Sequence, residues 1–152
     1  MTPGTRFRFP LATVLKVSRL REEAARLRLA QALKRVAASR RALTETEELL
    51  AKRLAGLEGE ASRSFSTEDF LLHLRHLESL SRALAGWRER LQQEEAAAER
   101  ERQTLLKHHQ ETRLLEKLRD RAWARFRRGL TRQQEQETEA AVLARFPTGG
   151  GG

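Results

Sequence analysis

The chain contains 152 residues, of which 34% are charged, 5% are aromatic and none is cysteine, and its formal net charge is +9. The lack of cysteine excludes disulfide bonds and thiolate metal sites, and the scarcity of aromatic residues argues against a thick globular core. Arg, Ala, Leu, Glu and Gln dominate the composition, and all five are good helix formers. The composition therefore predicts an all-α protein.

Apolar residues recur every seven positions in two separate segments of the chain. The first row is Leu29, Val36, Leu43, Leu50 and Leu57, and the second is Phe70, Leu77, Leu84, Leu91, Ala98 and Leu105. A seven-residue repeat corresponds to about 3.5 residues per turn along a buried seam, which is typical of coiled coils. We therefore expect two long helices in an antiparallel coiled-coil hairpin, in which the position numbers of facing layers add to 130. A register slipped by one heptad is the alternative.

Glycine and serine residues separate the two rows. Gly56, Gly59 and Ser62 weaken the helix that contains the first row, and Ser66 can cap a second helix with an acidic first turn. Pro10 fits the first turn of the first helix. The sequence thus predicts one coiled-coil domain over 1–146, with helix one at about 10–58, a hinge at 59–66 and helix two at 67–145, and a flexible tail at 147–152.

Charge is distributed unevenly along the chain. Residues 1–41 contain eleven Arg and Lys against two acids, residues 42–101 contain eight against thirteen, and residues 102–152 contain eleven against six. A hairpin brings the two basic blocks to one end, which then attracts acidic surfaces of protein, nucleic acid or membrane.

Helix two is expected to extend past the start of helix one as an overhang at roughly 121–145. Trp123 and Phe126 lie there among arginines, a combination found in interface hot spots and in stacking on nucleic-acid bases. The alternative is that both aromatic residues pack against Phe7 and Phe9. On helix one, Leu20 and Leu27 lie off the heptad row, so this segment offers apolar surface to something besides helix two.

Catalytic and metal-binding patterns are weak in this sequence. His73 and His76 stand three residues apart and His108 and His109 are adjacent, but no third ligand accompanies either pair. Neither a phosphate-binding glycine loop nor a G-x-S-x-G motif occurs, and a helical hairpin offers no enclosed pocket. We expect no enzymatic activity, no metal, no cofactor and no small-molecule substrate.

Membrane-spanning and secretory segments are also not expected. No apolar stretch approaches the roughly 18 residues that cross a bilayer, and residues 1–20 lack the apolar region of a signal peptide. The expected location is the cytoplasm.

Two segments of the chain resemble a known protein family. Phe7 to Leu11, followed by Val14, Leu15, Arg19 and two acids, is similar to the opening pattern of the flagellar export protein FliJ family. The string from Leu115 to Arg119, followed by basic residues, a Glu/Gln-rich stretch and Phe146, is similar to the closing pattern of that family. The resemblance covers roughly 6–146.

The resemblance implies an antiparallel coiled coil similar to the central stalk of rotary ATPases. It also implies a non-catalytic component of flagellar type III export, which binds the hexameric export ATPase and the membrane export gate and assists export chaperones. Such a protein is cytoplasmic and peripherally associated with the inner membrane at the flagellar base.

The resemblance and the basic end together suggest the binding residues. The export gate would contact Leu77 and Leu84, the best matches to the gate-binding positions of the family. The ATPase ring would contact a charged set with aromatic anchors, namely Arg8, Arg19, Arg119, Arg121, Trp123, Arg125 and Phe126.

Two other functions fit the same sequence. A basic helical nucleic-acid-binding protein would use the overhang on phosphates, although Glu116, Asp120 and the acidic middle would repel a long backbone, so nucleic acid is not the expected partner. A generic coiled-coil scaffold would self-associate instead.

Overall fold

The computed structural model describes residues 6–60 and 66–146. Two helices account for nearly all of them: α1 covers Ala12–Glu60 and α2 covers Thr67–Arg145. The described residues contain no strand, which confirms the all-α class. Most of the expected hinge and the whole expected tail at 147–152 lie outside the described residues.

The helix ends follow the expected signals. The Ala12 backbone N–H donates to the Phe9 carbonyl at 3.1 Å, so α1 begins two residues after Pro10. At the start of α2, the Ser66 hydroxyl oxygen accepts the Asp69 N–H at 3.2 Å, which confirms the expected serine cap. The continuous span of α2 includes Gly129.

The chain divides into two compact units. The central unit contains Glu23–Leu106, and the terminal unit contains Met1–Glu22 together with Lys107–Gly152. Each unit is therefore built from a segment of α1 and a segment of α2.

A mainly apolar seam, which also buries Ser39 and Thr46, joins the helices in the central unit. Ala32, Val36 and Ala98 are buried together, and Leu91 packs against them. Heptad residues of both rows are buried or partly buried along this seam, which confirms the expected spacing for Leu29, Val36, Leu43, Leu50, Leu57, Leu77, Leu84, Leu91, Ala98 and Leu105.

Phe70 is an exception to the expected rows, because it is exposed. The last partly buried heptad residue of α1 is Leu57, which faces position 73 in the expected register. Phe70 precedes that position on α2, so it lies beyond the apolar part of the seam.

Salt bridges across the seam border the central unit. They join Arg28 to Glu101 at 3.5 Å, Arg35 to Glu94 at 3.3 Å and Arg40 to Glu95 at 3.0 Å. From Arg28 to Arg35 along α1, the partner on α2 moves back from Glu101 to Glu94. The helices of this unit are antiparallel.

The terminal unit has a polar seam. Leu15 is buried there, but the next heptad layers on α1 contain Ser18 and Glu22, which are buried as well. The hydroxyl groups of Ser18 and Thr112 form a hydrogen bond at 2.8 Å. Because these two position numbers add to 130, the bond confirms the expected antiparallel register in this unit.

Candidate partner-binding surface of the terminal unit

Three aromatic rings form a cluster in the terminal unit. The Phe7 ring lies 5.0 Å from the Trp123 ring with the planes at 78°, and 5.5 Å from the Phe126 ring at 52°. Trp123 and Phe126 are stacked at 5.8 Å, since residues three apart lie on one face of a helix. These separations fall within the range that aromatic pairs prefer.

The cluster corrects the expected start of the overhang. Phe7 precedes α1 and packs against Trp123 and Phe126, so the chain before α1 covers part of the segment that was expected to be free from residue 121. The overhang is therefore shorter than expected. From residue 131 to residue 146, every residue is exposed.

Trp123 remains 44% exposed within the cluster, whereas Phe7 and Phe126 are partly buried. The two phenylalanine rings thus support the indole and leave nearly half of Trp123 accessible to a partner. Large aromatic side chains held in this way can bury much apolar area at little cost in conformational entropy.

Arginine side chains accompany the cluster. Arg8, Arg119, Arg121 and Arg125 are exposed, and the last two flank Trp123 in the sequence. Arg19 differs, because its Nη2 lies 3.5 Å from Glu116 Oε1 in a salt bridge across the helix pair. The suggested ATPase-binding residues therefore all lie in one unit, and Arg19 already contacts an acidic residue of the chain.

The paired region of the terminal unit carries a strong positive charge. Within 6–22 and 107–130, thirteen Arg and Lys residues outnumber four acidic residues. A surface of this kind attracts acidic partners and accelerates their encounter, and the effect falls with ionic strength.

The terminal unit also contains a buried carboxylate, that of Glu22, which the sequence pattern did not predict. Glu22 is buried, and its Oε1 accepts a hydrogen bond from His109 Nδ1 at 2.7 Å. Extending the first heptad row by one repeat before Leu29 reaches Glu22 and places it in the seam. Among the described residues, no group of three or more His, Asp or Glu side chains could hold a metal ion.

Leu77 and Leu84, the suggested gate-binding residues, belong to the seam of the central unit. Leu84 is 8% exposed and Leu77 is partly buried. Phe70, Leu72 and Leu74, which precede them on α2, are exposed instead. These neighbours offer apolar surface to a partner, whereas Leu84 supports the helix pairing.

The family of the chain follows from comparison with known proteins. In the described part of the chain, neither helix has a segment long and apolar enough to span a membrane. No curated protein and no solved structure is significantly similar to the chain. A family model described as flagellar FliJ protein matches residues 7–143, a span that includes the aromatic cluster and nearly all of both helices. The chain therefore belongs to the FliJ family and has a role related to flagellar protein export.

Proposed function

We propose that the protein is a non-catalytic component of the flagellar export apparatus whose terminal unit binds the hexameric export ATPase as a central stalk. The aromatic cluster is the observation that carries this proposal. Trp123 is supported by two phenylalanine rings and is still 44% exposed. Exposed arginines lie in the same unit as this anchor, and Trp and Arg are enriched among residues that dominate binding energy at interfaces.

The residues of the surface have different roles in this proposal. Trp123 inserts into an apolar pocket of the ATPase, and Phe7 and Phe126 hold the indole in place. Arg119 lies one helical turn before Trp123 on the same face of α2 and pairs with an acidic group beside that pocket. Arg8, Arg121 and Arg125 add to the positive field that accelerates the encounter, and Arg19 contributes through the salt bridge that orders it.

Membership of the FliJ family supports further partners. We propose that the protein also binds the membrane export gate and export chaperones, and that it is a cytoplasmic protein at the inner membrane of the flagellar base. For the gate, the surface around Leu77 on the central unit is the proposed contact, with exposed Leu74 beside it. Leu84 contributes to this contact by holding the helices together.

A substitution of Trp123 tests the proposal for the ATPase. In Trp123→Ala we expect affinity for the purified hexameric ATPase to fall about 30-fold, since truncating a hot-spot side chain costs about 2 kcal/mol or more. Binding is measured by fluorescence anisotropy, and stimulation of ATP hydrolysis is measured in parallel. Leu143→Ala is the matched control, because Leu143 is exposed on the same helix outside the cluster.

Circular dichroism should show equal helicity in both variants. Wild-type affinity and stimulation in Trp123→Ala would contradict the proposal. Titration with duplex and single-stranded oligonucleotides tests the nucleic-acid alternative, for which binding should be strong and steeply dependent on salt. Sedimentation of the isolated chain as a monomer would argue against the scaffold alternative.

A further inference from the structure

A groove of about 510 Å³ runs along one flank of the terminal unit. Val14 and Val17 of α1 and Leu114 and Leu115 of α2 supply its apolar surface. Arg21 and Glu111 are the charged residues that line it. We call this surface the lateral groove.

The apolar residues of the lateral groove are largely uncovered. Val14 is 50% exposed, Val17 is 40% exposed and Leu114 is 61% exposed. Positions of this kind on a soluble coiled coil normally carry charged residues, which keep the flank in water. Contiguous exposed apolar surface marks an interaction site more often than isolated apolar residues do.

The heptad positions of these residues explain why they lie on one flank of the helix pair. Leu15 and Ser18 lie in the seam, so Val14 occupies the g position and Val17 occupies the c position of α1. On α2, the seam residues Thr112 and Leu115 place Leu114 at a c position. In an antiparallel pair the two g rows border the same flank, so apolar residues at g and c create a second stripe on which another helix can pack.

The opposite flank of the same unit is built differently. Arg19 and Glu116 both occupy e positions and form the 3.5 Å salt bridge there. On the groove flank, no carboxylate of the described residues lies within 4.0 Å of the Arg21 guanidinium, which is exposed. The groove therefore combines apolar surface with a cation that is available to a partner.

Charge determines which occupant fits. The paired region around the groove has thirteen basic and four acidic residues, so a second copy of the chain would bring like charges together. A helix with acidic side chains beside its apolar stripe would instead be attracted. Carboxylates can also form paired hydrogen bonds with a guanidinium such as that of Arg21.

We propose that the lateral groove binds an amphipathic helix of a partner protein whose apolar stripe is bordered by acidic residues. Apolar side chains at successive turns of that helix pack on Val14, Val17 and Leu114, and one of its carboxylates pairs with Arg21. Glu111 disfavours an acid next to itself and so fixes the orientation of the helix. This surface is separate from the aromatic cluster, so its test does not depend on binding of the ATPase.

Two synthetic peptides test the proposal with the full chain. Both are helices of three heptads with leucine at a and d, and the flanking positions are Glu in one peptide and Lys in the other. Binding is followed by NMR of Val and Leu methyl groups. We expect the Glu peptide to shift the methyl signals of Val14, Val17 and Leu114, and to bind at least about tenfold more tightly than the Lys peptide.

Two serine variants locate the binding surface. The double variant Val17→Ser with Leu114→Ser should weaken binding of the Glu peptide at least about tenfold, because it removes apolar contact without changing charge. Leu143→Ser is the control, since Leu143 is exposed on α2 outside the groove, and it should retain wild-type affinity. Helicity is compared for all three proteins by circular dichroism.

Three results would overturn the proposal. The first is equal or tighter binding of the Lys peptide. The second is wild-type affinity in the double serine variant, which would place the peptide elsewhere. The third is a dimer in sedimentation that the double serine variant dissociates, which would assign the groove to a second copy of the chain.

Discussion

The central unit and the terminal unit share two helices and one heptad spacing, but they differ in how the buried polar residues of the seam are bonded. Ser39 and Thr46 are buried in the central unit, where the Thr46 hydroxyl donates to the Ala42 carbonyl of its own helix. In the central unit, Ala32, Val36 and Ala98 form a buried apolar cluster. In the terminal unit, the corresponding seam positions include Ser18 and Glu22, which are buried and hydrogen-bonded. Heptad spacing thus determines which faces of the two helices are buried against each other. The residue types at those positions determine whether the contact is apolar packing or a hydrogen bond.

The contrast indicates that the central unit mainly stabilises the helix pair, whereas the terminal unit mainly fixes its register. Apolar burial in the central unit stabilises the helix pair, because small side chains allow close approach and exclude water. Polar layers add little net stability, but they favour one alignment of the helices over its neighbours. The terminal unit therefore holds its helices in a defined register while it leaves apolar and basic residues available to partners.

The largest effect should come from a charge placed in the apolar seam. In Ala32→Asp the new carboxylate lies at a fully buried position without a cation designed for it, and we expect a loss of about 3 to 5 kcal/mol in the free energy of unfolding. Ala30→Asp is the control at an exposed position two residues away. Urea denaturation measures both, and similar values for the two variants would contradict the apolar assignment of this seam.

A smaller loss is expected when a leucine of the seam is truncated. Leu84→Ala removes a buried side chain and should cost about 3 kcal/mol, whereas Leu72→Ala on the same helix should cost far less because Leu72 is 63% exposed. Thermal denaturation separates the two cases. Wild-type stability of Leu84→Ala would contradict the assignment of Leu84 to the seam.

The polar layer of the terminal unit should respond in a different manner. Thr112→Val leaves the Ser18 hydroxyl without its cross-helix partner and should cost about 1 kcal/mol. The double change Ser18→Ala with Thr112→Val removes both groups and should recover part of that loss. A double-mutant cycle by denaturant titration measures the interaction free energy between Ser18 and Thr112. Additive changes in the free energy of unfolding would show that the two hydroxyls do not interact.

The smallest effect is expected at the exposed border of the central unit. Arg40→Ala breaks the 3.0 Å salt bridge to Glu95 and should cost about 0.5 kcal/mol at low salt and less at high salt. Unfolding curves at two ionic strengths test this dependence. Arg41→Ala serves as the control, as Arg41 is exposed at the next position. A loss independent of salt would point to packing of the Arg40 stem instead.

Much of the fold could be predicted from the heptad rows, because apolar spacing reports directly which face of a helix is buried. Ser66 also marked the start of α2 correctly, since a serine cap in front of two acids is a local signal. Phe70 was misplaced because spacing alone does not reveal where the partner helix stops offering apolar surface.

The terminal unit was harder to predict because its key contacts are polar or lie outside the helices. Glu22 has a charged side chain, which pattern analysis assigns to the surface, and the hydrogen bond from His109 on the facing helix helps to make its burial favourable. Phe7 lies before α1, so no helical periodicity includes it. The register of 130 nevertheless pairs Phe7 with Trp123, and applying it beyond α1 would have found their contact.

The exposed final stretch of α2 has a consequence for its backbone. From residue 131 onward, about four helical turns are held by their own main-chain hydrogen bonds and by continuity with the preceding part of α2. Segments of this length are marginal as isolated helices in water, so the last turns open and close by fraying. Amide protons there should exchange with deuterium well before those of the central unit, and slower exchange would report any protein that docks on this stretch.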